Sequence, residues 1–100
     1  MEEHMKEVLI RNMTDNLPTL RCKMGISQVR LAEMIGVGRC TVTSIENHKR
    51  PMTWNMFLSL LMIFTSNEDT LKLLVPMEIY TDELKDFVKA KDKNGRNTND

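Results

Sequence analysis

The sequence predicts an all-α fold, a five-helix core with one added helix at each end. Three observations predict it. Apolar residues recur three or four apart along most of the chain, the spacing of one helical face. Residues that start and stop helices punctuate those stretches at short intervals. No stretch alternates between apolar and polar with a period of two, so no strand is expected. The 100 residues, 28% of them charged and only four of them glycine, fit one small domain.

Met5, Val8, Leu9 and Met13 share one face, which predicts an N-terminal helix over residues 2–13. Asp15 and Asn16 then precede Leu17-Pro18. Proline disfavours helical geometry in the residue before it and is welcome in a first turn. A second helix is therefore expected from about Leu17 to Met24, with Gly25 as its stop. Ser27 is a good N-cap for a helix from Gln28 to Ile35, which Gly36 closes. A further helix runs from Arg39 to Glu46 or Asn47, with Val42 and Ile45 on its inner side.

His48 to Met52 contains Pro51 and reads as a loop. Thr53 caps a helix over Trp54–Thr65 that turns Phe57, Leu60, Leu61 and Phe64 inward. Ser66 or Asn67 caps a short helix through Leu74, and Pro76 ends the core. Pro76 to Tyr80 reads as extended or turn-like. Thr81 caps a last helix to about Lys89, with Asp82 and Glu83 in its first turn and lysines at its end, an order that suits the helix dipole. Residues 91–100 contain no apolar residue and are expected to be disordered. The expected divisions are thus 1–14, an N-terminal extension; 15–75, the core; 76–90, a C-terminal extension; and 91–100, a tail.

The charge balance hides an asymmetry. Net charge is zero, yet residues 16–52 carry Arg21, Lys23, Arg30, Arg39, Lys49 and Arg50 against Glu33 and Glu46, six against two. Residues 53–90 carry three lysines against six acidic residues. A basic half joined to an acidic half is compatible with one face meeting a polyanion. Taken singly, such charges read as ordinary solvated surface.

Other classes find little support. Cys22 and Cys40 form no CxxC pair, and His4 and His48 stand in no ligand spacing, so no metal and no cofactor are expected. The cysteines are expected to be reduced. There is no Gly-rich phosphate loop and no nucleophile motif, so the chain is not expected to be an enzyme. The 25 residues after Val75 are too few to build an effector pocket of their own. The longest apolar run, Phe57 to Phe64, is interrupted by Ser59 and is too short for a bilayer. With no secretory signal evident, a cytoplasmic protein is expected. The nine methionines read mainly as core filling, with Met52, Met56 and Met77 as candidates for a partner interface. Trp54 is expected to pack at the start of its helix.

The informative window is Gln28 to Asn47, QVRLAEMIGVGRCTVTSIEN. Two helices joined by a tight turn need a small residue where they cross, and Ala32 is there. The turn needs positive φ, which Gly36 supplies without steric cost. Leu31, Ile35, Val37, Val42 and Ile45 can fill the angle between the helices. That leaves Arg39, Cys40, Thr43 and Ser44 on the outer side of the second helix.

The stretch LRCKMGISQVRLAEMIGVGRCTVTSIEN, followed by HKRP and the apolar TWNMFLSLLMIF, resembles the helix-turn-helix family of phage Cro and repressor proteins, the XRE type. The resemblance covers roughly Asn16 to Leu74. It implies a lambda-repressor-like domain and a transcriptional regulator that binds double-stranded DNA. It further implies a homodimer on a palindromic operator. By the same resemblance, Ser27 and Gln28 lie near a phosphate, and Arg39, Cys40, Thr43 and Ser44 read bases. Asn47, Lys49 and Arg50 are then backbone contacts. Arg39 is the leading base reader, because Arg can bond guanine O6 and N7 together. Three positions depart from the family pattern: Gly38 replaces a hydroxyl cap, His48 stands where glycine is frequent, and Cys40 is an unusual reader.

The expected dimer surface is the C-terminal part, with Ile79, Tyr80, Leu84, Phe87 and Val88; the same residues could instead cover the chain's own core. An alternative role is a protein-interaction module, an antitoxin or an antagonist that pairs with a toxin or another regulator. No membrane and no small-molecule effector are expected as partners.

Overall fold

The computed structural model describes residues 1–90. The described residues form six α-helices and no strand: α1 Glu3–Met24, α2 Gln28–Ile35, α3 Arg39–Glu46, α4 Trp54–Thr65, α5 Glu68–Leu74 and α6 Asp82–Val88. The disorder expected for residues 91–100 lies outside the described residues. No helix among the described residues is long and apolar enough to cross a membrane.

The largest departure from expectation is at the N-terminus. The two helices expected over 2–13 and Leu17–Met24 are one helix of 22 residues, with Pro18 inside it. Pro18 has no N–H to offer the Thr14 carbonyl, and an interior proline costs a helix about 3 kcal/mol. Burial offsets that cost. Leu9, Met13, Leu17 and Leu20 form one unbroken apolar stripe, and all four are buried. Each such side chain is worth about 1.5–3 kcal/mol when fully buried. A break at Asp15 would turn Leu17 and Leu20 away from that stripe.

Thr14 Oγ1 donates to the Ile10 carbonyl at 2.7 Å and Asn16 Nδ2 to the Asn12 carbonyl at 2.8 Å, which adds bonds in the turn before the proline. The boundary expected between residues 14 and 15 therefore falls inside one helix. Pro18→Ala should restore a backbone bond and raise stability by about 1 kcal/mol, read as a higher midpoint of thermal unfolding. An unchanged or lower midpoint would mean that packing of the proline ring outweighs the missing bond.

Elsewhere the local signals act as their chemistry dictates. Ser27, Thr53, Asn67 and Thr81 each accept a backbone N–H in the first turn of the helix they precede. Gly25 and Gly36 close α1 and α2 in the left-handed region, at φ 72° and 75°. Pro76 permits one further helical turn after α5, in which the Met77 N–H reaches the Leu73 carbonyl at 3.1 Å. Glu78 then takes φ 57°, and Asn12 Nδ2 donates to its carbonyl at 3.0 Å, tying this turn to α1. Thr70 is fully buried, and its hydroxyl donates to the Phe64 carbonyl at 2.7 Å, which holds the α4–α5 corner.

The core is one cluster. α1 packs on α3, α4 and α5; α2 packs on α3 and α4; α4 packs on α5. Residues outside the expected 15–75 core contribute to it. Leu9 and Met13 enter from the N-terminal side, Ile79 and Leu84 from the C-terminal side. Trp54 stacks on Phe57 with ring centroids 4.8 Å apart, and Lys6 Nζ lies 5.4 Å from its ring centre.

Candidate nucleic-acid interface

Helices α2 and α3 are eight residues each and are joined by Gly36, Val37 and Gly38. Ala32 is buried where the two pack, and Leu31, Val42 and Ile45 are buried with it. The outer side of α3 is thereby set by exclusion. Arg39 and Cys40 are exposed, Thr43 and Ser44 are half-buried, and Asn47, Lys49 and Arg50 are exposed beyond the helix end. Gly38 precedes α3 with extended backbone and no side-chain cap.

The end of α3 is closed by a non-glycine residue. His48 takes φ 59°. Its N–H reaches the Ile45 carbonyl at 3.0 Å, and the Lys49 N–H reaches the Ser44 carbonyl at 2.8 Å. This double closure normally uses glycine, because an L side chain in the left-handed region costs about 1–2 kcal/mol. His48→Gly should stabilise the fold by about 0.5–1 kcal/mol, after allowing for glycine's greater freedom in the unfolded chain. Denaturant unfolding checks this; a loss of stability would mean that the imidazole makes a compensating contact, for which Asp15, 4.0 Å away, is the nearest charged candidate.

Beneath the outer side of α3 lies a polar network that spacing did not reveal. Arg21, in the last turn of α1, clamps Glu46 at the end of α3. Nε donates to Oε2 at 2.9 Å and Nη2 to Oε1 at 3.2 Å. Nη1 also donates to the Ile26 carbonyl at 3.1 Å. The Glu46 side chain is only 5% exposed. The hydrogen bond to Glu46 raises the Arg21 guanidinium above its ordinary value, burial opposes that rise, and the Glu46 charge adds to it. Gln28 joins the network. Its Nε2 donates to Glu46 Oε1 at 3.0 Å, and its Oε1 accepts from Thr43 Oγ1 at 2.9 Å.

Two consequences bear on the expected site residues. Gln28, expected at a phosphate, has both ends of its amide engaged within the protein. Thr43, expected to read bases, has its hydroxyl proton engaged as well. Ser27 caps α2 by accepting the Arg30 N–H at 3.0 Å, and Arg50 Nη1 donates to Thr41 Oγ1 at 2.8 Å.

The network also refines the charge asymmetry. Glu46 pairs with Arg21, and Glu33 pairs with Arg30 at 3.3 Å. Both acids of the basic half are thus taken up by two of its bases. Among the described residues, Lys23, Arg39, Lys49 and Arg50 form no ion pair. Arg11 is an addition that the sequence reading missed. It lies with Asp15, His48, Lys49, Arg50 and Met52 around a surface depression of about 350 Å³. A break after residue 13 would have detached Arg11 from this group, so only the continuous helix brings it in.

The expected dimer surface is divided. Ile79 and Leu84 are 0% exposed and belong to the chain's own core, which corrects their place in an interface. Tyr80 is half-buried, with Lys85 Nζ 5.0 Å from its ring centre. Phe87 and Val88 are exposed. They line, with Leu58, Met62 and Tyr80, an apolar groove of about 470 Å³. Met52 is buried, and Met56 and Met77 are half-buried against the core, so these three are not the exposed methionines. Met62 is, at 74%. Its position off the inward row of α4 was a usable signal. Cys22 and Cys40 are both exposed and unbridged.

In comparisons with known proteins, no family model, no curated protein and no solved structure gave a significant match to the chain.

Proposed function

We propose that this chain is a sequence-specific regulator of transcription that binds double-stranded DNA and reads the major groove with α3. The reading takes the segment from the second half of α1 through α5 as a lambda-repressor-like domain of the Cro and repressor type. One observation carries it: Arg39, Lys49 and Arg50, which form no ion pair among the described residues, flank the outer side of α3, while the acids of this half are consumed by Arg21 and Arg30. Cations placed this way neutralise phosphates and set register, and side chains on the helix between them read base edges. The residue pattern of Gln28–Asn47 supports the same reading.

The protein acts as a homodimer on a two-fold site, with half-sites about 10 base pairs or a multiple of a turn apart. The exposed Phe87, Val88 and Met62 support an apolar dimer contact. The same exposed apolar residues favour a second reading, a module that docks on a toxin or another regulator.

Selection from a random duplex library at near-physiological salt tests the proposal. A palindromic motif is the expected result. Weak, salt-sensitive binding without a motif would overturn it in favour of the protein-interaction reading. Sedimentation at micromolar concentration tests the dimer, and a chain that stays monomeric on DNA would count against it.

A further inference from the structure

We propose that Arg21, Glu46 and Gln28 fix the hydrogen-bond polarity of Thr43, so that Thr43 meets DNA only as an acceptor and selects a base pair by its exocyclic amino group. The inference rests on the reading of α3 as the helix that enters the major groove. Thr43 is the residue that touches the base; Arg21, Glu46 and Gln28 are positioning residues.

The argument is a chain of donors and acceptors. Arg21 has only donors, and it holds the Glu46 carboxylate through Nε at 2.9 Å and Nη2 at 3.2 Å. An ionised carboxylate can only accept. Gln28 must therefore turn its NH₂ toward Glu46, and Nε2 lies 3.0 Å from Oε1. The amide is planar, so its carbonyl oxygen then points away from Glu46 and toward Thr43, one turn earlier in α3. That oxygen can only accept, and Thr43 Oγ1 donates to it at 2.9 Å.

A threonine hydroxyl has one proton. Thr14 and Thr65 give theirs to the carbonyl four residues back in their own helices, each at 2.7 Å. Thr43 sends its proton across to α2 instead. What remains on Oγ1 is lone pairs. In the major groove the hydrogen-bond donors are the adenine N6 and cytosine N4 amino groups; guanine N7 and O6, adenine N7 and thymine O4 all accept. A proton-spent Thr43 is therefore matched to an amino group and mismatched to every acceptor. The guanidinium that enforces this lies three hydrogen bonds from Thr43 and four from the base.

Every base pair carries one amino group in the major groove, so a sequence motif alone does not test polarity; atom replacement does. Selection with the wild type and with Thr43→Val, which keeps the shape and loses the oxygen, identifies the base pair that depends on Thr43. At that pair, removing the amino group, with purine for adenine or 2-pyrimidinone for cytosine, should weaken wild-type binding about tenfold. Binding by Thr43→Val should change little, which removes any effect of the altered duplex itself. Replacing purine N7 by carbon, with 7-deazapurines, should leave both proteins unaffected.

A Thr43-dependent loss with the 7-deaza base would overturn the proposal, since Thr43 would then be donating. A loss only on replacing thymine with uracil would also overturn it, since the methyl group would then be read. In the free protein, proton NMR should show a slowly exchanging Thr43 hydroxyl; fast exchange would overturn the locked polarity whether or not DNA binds. A wild type that selects no motif overturns the DNA reading itself, and that outcome differs visibly from a motif with the wrong atomic dependence.

Discussion

Arg21→Met should destabilise the fold by about 3–5 kcal/mol, the usual result of stranding one partner of a buried ion pair. Glu46 would keep its place at 5% exposure and lose both guanidinium bonds. Ile26 would lose a donor to its carbonyl at the α1–α2 turn. Against a total stability of about 5–15 kcal/mol, such a loss is a large fraction, and the midpoint of thermal unfolding should fall by more than about 10 °C. The double variant Arg21→Met/Glu46→Met should recover part of the loss, because no lone charge remains buried. Recovery should be incomplete, because Gln28 Nε2 then has no acceptor. A shift of only one or two degrees for Arg21→Met would show that the pair behaves as an exposed one. The pH dependence has a definite sign. Glu46 raises the folded-state pKa of Arg21, so the stability Arg21 contributes is fully present below the ordinary guanidinium value. It is lost only as pH rises through the raised value, far above neutrality.

The second large effect is on binding. Arg39→Ala should weaken the selected operator by about 1–3 kcal/mol, about fivefold to more than a hundredfold, and relax the preference at one base pair. Arg39 is exposed at the start of α3 and forms no ion pair among the described residues, so its guanidinium is available to a base edge. Lys49→Ala should act differently. It should weaken all sequences alike and lower the slope of log K against log salt by about one unit. Fluorescence anisotropy with operator and random duplexes across a salt series separates the two. If both variants lowered specific and random binding equally, Arg39 would be one more backbone contact, and the assignment of α3 as the reader would lose its principal residue.

The features legible in the residue order are those decided over four or five neighbouring positions. Ser27, Thr53, Asn67 and Thr81 cap because each offers an oxygen to an N–H two or three residues on, whatever the rest of the chain does. Gly25 and Gly36 end helices because positive φ is free to glycine alone. The inward rows of α3 and α4 follow from periodicity, and so does the outer side of α3 that carries Arg39 and Cys40. The helical class and the α2–α3 unit were therefore determined by local chemistry.

Other features depend on which faces meet. At Pro18 the local rule calls for a break, and burial of Leu17 and Leu20 overrides it, because packing the stripe outweighs one missing backbone bond. Arg21 and Glu46 are 25 residues apart, and nothing in their spacing announces the clamp; only the packing of α1 on α3 brings the charges together in a place dry enough for the pair to matter. The same holds for Gln28 and Thr43, surface residues in a linear reading and members of a half-buried network in the fold. Ile79 and Leu84 look like Phe87 and Val88 along the chain, yet the first two fill the core and the last two stay outside. A core has limited room, and which of several equally apolar side chains occupy it is settled by the three-dimensional fit of the helices, information that no short run of residues contains.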